Sequence, residues 1–303
     1  MGELVNDKLP IRWSGEKLVA CTHSGRFHGD EIHAAGVLAA RGMVNEFRRS
    51  RDPAVLATCD LRFDVGYMYD SATMDFDHHQ DGGAGVRDNG VPYASAGLIW
   101  AHFGHELCND DAEVHAEVDR ILFQPIDARD VGYDKHIKAG QGLVYGISDD
   151  IRRRNPPPFS DVNSDAVFLE VVEEARRRIV AEVALVTTDL RIIPPYIERM
   201  LAVADTPGLL VLDIAYDWPK VMQKYAPNIS VIVFPSEDES GWRVQSVNLQ
   251  KRPLPRLWAG KNGADMVKAS GVADAQFCNA KGYLASAQSM EGAVALAEIV
   301  LRI

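Results

Sequence analysis

The apolar run LVAC (18–21) breaks off into the polar stretch THSGRFHGDEIH, and a second apolar run, AAGVLAA (34–40), follows at once. The segment KLVACTH (17–23) is short and rich in strand formers, whereas DEIHAAGVLAARG (30–42) has helix formers, an acidic first turn and a glycine stop, which predicts a strand, a turn and a helix. The alternation continues. In CDLRFDVG (59–66), Leu61, Phe63 and Val65 share one face; TMDFDHHQ (73–80) is a further strand candidate, followed by the glycine-rich loop DGGAGVRDNG. Beyond it, SAGLIWAHFGHEL and DAEVHAEVDRILFQPID carry helical spacing, the second with Val114, Val118, Ile121 and Leu122 on one face. Such alternation predicts an α/β fold, a largely parallel sheet with flanking helices, in which ligand chemistry gathers at the carboxyl ends of the strands. His23, Asp64 and Asp77-His78-His79 lie at or near those ends.

At 303 residues the chain exceeds what one hydrophobic core commonly organises, so two domains are expected. The three prolines of RRRNPPPFSD (152–161) break helical continuity, and SDAVFLEVVEEARRRIVAEVALVTTDL then reads as one long amphipathic helix whose arginine run is a solvated face. Farther on, NISVIVFP (228–235) and WRVQSVNL (242–249) form a predicted hairpin, and EGAVALAEIVLRI a terminal helix. The expected division is a catalytic domain with its connecting helix over 1–190 and a smaller α+β domain, for substrate binding, over 191–303. The four cysteines are widely spaced, without a CxxC pair, and are expected to be reduced, mostly buried thiols. The start MGELVNDKLPIRW has no apolar core of a leader and no run approaches a membrane span, so a cytoplasmic protein without a membrane partner is expected. A formal net charge of −11 opposes general attraction to polyanions, so a phosphate substrate would need local cations or metals.

All nine histidines lie between His23 and His136, which assigns imidazole chemistry to the first domain. Its polar clusters are His23, His28 and Asp30 in an HxxxxHxD pattern, then Asp64, then Asp75 and Asp77-His78-His79, then Asp127 and Asp130. Imidazoles and carboxylates without thiolates suit Mn²⁺, or Mg²⁺, better than structural zinc. The candidates outnumber the ligands of one four-coordinate ion, which points either to two ions or to one ion whose ligands are held by further polar partners; two ions bridged by a carboxylate suit phosphoester hydrolysis, and Asp64, isolated at a strand end, is the natural candidate for the bridge. Asp30 is also expected to cap its own helix, His33 to be packed inside it, and His102 and His105 to hold structural hydrogen bonds.

The motifs as a set resemble a known family. THSGRFHGDE (22–31), FDVG (63–66), FDHHQ (76–80), SAGLIW (95–100) and IDARDVG (126–132), with DWPK (217–220), WRVQ (242–245) and LPRLW (254–258), are similar to the ordered motifs of the melanocyte-proliferating-gene (MYG) family, itself similar to the DHH phosphoesterase superfamily. The resemblance covers nearly the whole chain. It implies a two-domain phosphoesterase with two Mn²⁺ ions and, for this branch, a 3′-to-5′ exonuclease acting on RNA. It carries His23, His28, Asp30, Asp64 and His78 over as metal ligands, with Asp127 or Asp130 from the fourth motif, Asp127 preferred. His79 would contact the scissile phosphate or orient the water, and Asp77 would hold an imidazole, so that Asp64, Asp77 and His79 form the catalytic set. Arg26 is read as a phosphate contact, and Lys251, Arg252, Arg256, Lys261 and Lys281 as cationic candidates of the second domain, Arg252 and Lys281 foremost. Three departures stand out: Gly29 replaces a cysteine common in relatives, Val131 replaces a polar residue, and AKGYLASAQSMEGA (280–293) lacks the histidine of a substrate motif. The acidic chain has no evident basic track, which favours short oligonucleotides as substrate and is compatible with a homo-oligomer. A phosphatase for a small substrate such as pyrophosphate, and a metal-binding scaffold without hydrolysis, are the competing readings.

Overall fold

The computed structural model describes residues 15–133, 145–248, 250 and 252–303; His136, Lys251 and the N-terminal stretch read above lie outside them. Tertiary contacts divide the chain into two compact units, Met1–Thr187 and Thr188–Ile303. Both are mixed α/β. Among the described residues no helix is long and apolar enough to cross a membrane.

In the first unit the described elements run β1 (Leu18–Thr22), α1 (Gly29–Ala40), β2 (Val44–Arg49), α2 (Pro53–Leu56), β3 (Leu61–Phe63), β4 (Tyr69–Asp70), β5 (Asp75–Phe76), α3 (Ser95–Phe103), α4 (Ala112–Val118), α5 (Gln124–Asp130), α6 (Ile147–Arg154) and α7 (Ser164–Thr187). Their sheet has the order β2-β1-β3-β5-β4, with β1, β2, β3 and β5 running parallel and β4 antiparallel to β5. Register decides what the sheet presents. Ala20 faces Leu61 and Phe63 faces Phe76, so the chain leaves β1, β3 and β5 at one edge, as His23, Asp64 and Asp77. The strand expected over 73–80 is reduced to Asp75–Phe76, since Met74 takes a left-handed φ of 60° and Asp77-His78-His79 has left the sheet.

The β1–β3 pairing also corrects an expectation. Cys59, just before β3, is brought against Cys21 with 6.0 Å between Cα atoms, and the two are joined as a disulfide, while Cys108 and Cys278 are free and buried. Thirty-eight residues of separation gave no local sign of that contact. Helix α1 is buried along nearly its whole length and packs against α3 and α7. Gly36 permits the approach: a Cβ there would stand 3.0 Å from Ile179 Cδ1 and 3.1 Å from Ala175 Cβ of α7. On α7, Phe168, Val172, Ala175, Ile179, Val183 and Val186 form the buried stripe, and Arg176 pairs with Glu173 on the outer face.

The second unit contains α8 (Ile193–Ala202), β6 (Leu209–Val211), α9 (Trp218–Tyr225), β7 (Val231–Pro235), β8 (Trp242–Ser246), α10 (Gly263–Ser270), β9 (Ala275–Cys278), β10 (Leu284–Ala287) and α11 (Met290–Arg302). Its sheet order is β6-β7-β8-β10-β9, and β7–β8 is an antiparallel hairpin. The unbroken apolar run of β7 has a simple cause. Val231 and Val233 enter a core with Leu296 and Val300 of α11, while Ile232 and Phe234 enter another with Trp218 and Ile197, so both faces of the strand are buried.

Candidate metal centre

Four segments of the first unit converge, and Asp64 stands among them. His23 follows β1, and its Nε2 lies 2.9 Å from Glu31 Oε1 and 3.3 Å from Asp64 Oδ2. Asp64 ends β3 with a left-handed φ of 53°, its amide donating to Ser95 Oγ at 3.0 Å. Asp64 Oδ1 then lies 3.5 Å from His79 Nδ1 and 3.9 Å from His78 Nδ1. His78 Nε2 in turn stands 3.2 Å from Asp130 Oδ2 at the end of α5.

These side chains make three groups whose donor atoms lie within 4.8 Å of one another: His23, His28, Glu31 and Asp64; Asp64, Asp77, His78 and His79; and Asp30, His78 and Asp130. The donor set fits divalent cations. Asp30, Glu31 and Asp64 are all buried, and among the described residues Asp64 Oδ1 has no hydrogen-bond donor. Buried carboxylates crowded together are costly without a compensating charge. Burial and the Asp64 charge raise the pKa of Asp30 well above the carboxylate range, and burial raises that of Asp64 although His23 opposes it. Burial alone would deprotonate His23, but its hydrogen bonds to Asp64 and Glu31 raise its pKa to about 10. A protonated His23 thus stands in for the positive charge that a bound cation would supply on displacing that proton.

Asp77 has a different task. Its Oδ1 accepts from His79 Nδ1 at 2.7 Å and from the His78 amide at 2.7 Å, and its Oδ2 accepts from the Tyr67 amide at 2.6 Å. Burial would raise the Asp77 pKa, but these donors hold it below the usual range. The same hydrogen bond raises the pKa of His79, which is half-exposed and lines the cleft beside the cluster.

The structure places several of the predicted residues apart from the roles expected of them and gives most of these other partners. Asp30 does not cap its own helix: its carboxylate crosses to α3 and accepts the amides of Ser95 at 3.0 Å and Ala96 at 2.6 Å. Asp127 is not among the converging groups. Its Oδ1 accepts the Gly97 amide at 3.0 Å and its Oδ2 lies 2.8 Å from Arg87 Nη1, whereas Asp130, nearly one turn on along α5, reaches His78. Gly97 is required for this, because a Cβ there would collide with the Asp127 carboxylate. The Arg26 guanidinium donates to the Arg152 carbonyl and is not among the residues lining the cleft. In the second unit Arg252 donates to the carbonyls of Val300 and Leu301 near the end of α11, and Lys281 is exposed.

The cleft has a volume of about 380 Å³ and is lined by His23, His28, Asp64, His79 and Asp130 together with Arg51, Arg129 and Arg152. Those three arginines and Glu31 escaped the sequence reading. Glu31 had a usable signal, an acid one residue beyond the HxxxxHxD pattern, and so had Arg129, inside IDARDVG beside Asp130, but Arg51 lies far from every motif histidine and Arg152 within an ordinary charge run. Gly29 acquires a local reason: a Cβ at this position would meet Ser148 of α6, which also lines the cleft.

His33 is packed, as its place in α1 predicts. It is fully buried and its Nδ1–H donates to the Gly29 carbonyl at 2.7 Å. Burial lowers its pKa to about 4, against the opposing effect of that carbonyl. The unfolded chain therefore takes up a proton near pH 6.5 that the fold refuses until about pH 4, so stability falls as pH drops through this window. At pH 5.5 the loss from this residue is about 1–1.5 kcal/mol. Urea unfolding in chelator at pH 7.5 and 5.5 should show a smaller acid loss in His33→Leu by that amount; equal losses would refute the assignment.

Comparison with known proteins places these observations in context. Residues 19–301 match the MYG1_exonuc family, described as "Uncharacterised protein family (UPF0160)". The MYG1 protein of Dictyostelium discoideum is 26% identical over 322 residues, covering 92% of this chain and 95% of its own length. The MYG1 exonuclease of Homo sapiens is 27% identical over 337 residues, covering 96% of this chain and 89% of its own. RecJ of Thermus thermophilus, solved in complex with Mn²⁺, aligns over 94% of this chain but 52% of that chain, at 14% identity and a TM-score of 0.26, a likeness too weak to bear on this fold.

Proposed function

The chain belongs to the MYG1_exonuc family, and from that premise we propose that it is a metal-dependent phosphodiesterase, a 3′-to-5′ exonuclease acting on RNA or short oligonucleotides. The observation that carries this reading is the convergence of three ligand groups, linked through Asp64 and His78, beside an arginine-lined cleft. His23, His28, Glu31 and Asp64 would hold one cation, and Asp30, His78 and Asp130 a second, with Asp64, whose Oδ1 lies 3.9 Å from His78 Nδ1, as the candidate bridge. Mn²⁺ is the proposed ion and Mg²⁺ the nearest alternative, because the donors are imidazoles and carboxylates. Bound ions supply Lewis acidity, which offsets phosphoryl charge and makes a water nucleophilic near neutral pH.

The chain's own groups do the rest. His79, oriented by Asp77 and biased toward its charged form, presents a hydrogen-bond donor to the cleft and can meet a phosphoryl oxygen. Arg51, Arg129 and Arg152 supply positive charge locally in a chain whose net charge is −11. A cleft of about 380 Å³ suits the end of a chain better than a long duplex.

The test is hydrolysis of an RNA oligomer labelled at either end, a dinucleotide and pyrophosphate, each with Mn²⁺ and with chelator. Shortening from the 3′ end and dinucleotide cleavage, both lost in chelator, are expected. Turnover of pyrophosphate alone would make the chain a small-substrate phosphatase; no turnover of any would leave a metal-binding scaffold. A second measurement separates the two aspartates of α5. Asp130→Asn should lower both bound Mn²⁺ and rate, whereas Asp127→Asn should keep the metal stoichiometry; the reverse pattern would return Asp127 to the ligand set.

A further inference from the structure

Beside the metal cluster lies a second cavity of about 630 Å³, whose apolar lining comes from Pro53, Leu56 and Ala57 around α2 and from Val65, Tyr67 and Met68 of the β3–β4 turn. It shares Arg51, Asp64 and His79 with the arginine-lined cleft, so the two spaces meet at the residues that would face a scissile phosphate. We propose that this slot seats the nucleobase of the nucleotide at the scissile phosphate, with Tyr67 as its stacking platform. The proposal rests on the phosphodiesterase reading and deepens it, naming the place where the base of the reacting nucleotide would be held.

Tyr67 is unusual in two respects. The residue is 70% exposed, beside a Met68 that is 47% exposed, although both are large and apolar. Its backbone has a left-handed φ of 56°, in a turn where Asp64 and Gly66 also have positive φ, and a bulky residue adopts that conformation only when the surroundings hold it there. The holding group is Asp77, whose Oδ2 accepts the Tyr67 amide while Oδ1 accepts from His79. One carboxylate thereby couples the position of the Tyr67 backbone to the orientation of His79, and the two rings stand 6.3 Å apart, edge to face.

The occupant follows from this chemistry. A nucleobase offers a flat π surface to Tyr67 and Met68 and a polar edge that an arginine can meet, and its phosphate lies within one sugar of it. Arg51 is exposed at the junction of the two spaces and can serve either partner. Pyrophosphate has no group to place in the slot. Because every base has a π face, such a site grips a terminal nucleotide with little regard to sequence.

The experiment compares kcat/KM, in Mn²⁺, for a dinucleotide and for the abasic diester with the same backbone. The unaltered chain should favour the base-bearing diester by about 10- to 100-fold, the range that base–aromatic stacking supports. In Tyr67→Ala that preference should collapse toward unity, while Tyr67→Phe and Tyr67→Trp should retain it; measured Mn²⁺ content identifies any variant whose metal cluster has been lost. An undiminished preference in Tyr67→Ala overturns the slot assignment and leaves the phosphodiesterase reading standing. Turnover of neither diester by the unaltered chain overturns the phosphodiesterase reading, and the slot with it.

Discussion

Asp64→Asn should reduce Mn²⁺-dependent turnover of a labelled oligonucleotide by well over 100-fold and lower the number of bound ions. The size follows from position. Groups that merely orient a metal ligand are worth about 10–100-fold, and Asp64 belongs to two of the three ligand groups, with one oxygen 3.3 Å from His23 Nε2 and the other 3.5 Å from His79 Nδ1. Asparagine preserves the shape and leaves the backbone hydrogen bond to Ser95 Oγ available, so the unfolding midpoint in chelator serves as a control for the fold. The neutral amide cannot replace a carboxylate that binds or bridges cations. Metal analysis and rate measurements on the same preparation decide the matter: full metal content with full rate in Asp64→Asn would show that the bridging role is wrong.

Arg87→Met should destabilise the first unit by about 3–5 kcal/mol, the cost of removing one partner from a buried ion pair. Asp127 is fully buried, and Arg87, itself nearly so, reaches Asp127 Oδ2 at 2.8 Å and Asp119 Oδ1 at 2.7 Å. Burial already raises the pKa of Asp127 to about 7 even though Arg87 opposes the shift. Without the guanidinium the folded pKa rises further, while the unfolded aspartate remains ionised above about pH 4. A raised folded pKa means stability is lost as pH increases, so the deficit of Arg87→Met should be larger at pH 8 than at pH 5. The double variant Arg87→Met/Asp127→Leu should recover the part of the loss that comes from Asp127, because no fully buried charge is then left alone, while the more exposed Asp119 keeps its hydrogen bond from Gln124. Urea unfolding in chelator measures all three proteins. A loss below about 1 kcal/mol would mean that Asp127 has another partner, and would reopen its candidacy as a ligand.

Much of the candidate site could be read from short stretches. KLVACTH and DEIHAAGVLAARG report their own strand and helix by composition and periodicity, and the polar residues at their junction fall at a strand end for that reason. The buried position of His33 follows similarly from its place inside an apolar helix. Asp30 shows the limit. Its position before an apolar run is that of a capping residue, but the helix it caps is α3, 65 residues away. Asp127 and Asp130 are separated by three residues on one helix, and no local pattern says that Arg87 will claim the first.

What the sequence determined by itself was therefore local: which segments are strands and helices, where imidazole and carboxylate are concentrated, and the family to which that concentration belongs. The tertiary structure decided the partners: Cys21 with Cys59, Glu31 with His23, Asp130 with His78, and Tyr67 with Asp77. The physical reason is that periodicity records the solvent contrast across a single element. A hydrogen bond or ion pair between elements depends on strand register and helix packing, which place side chains tens of residues apart within a few ångströms and leave a carboxylate three residues along the same helix facing a different partner.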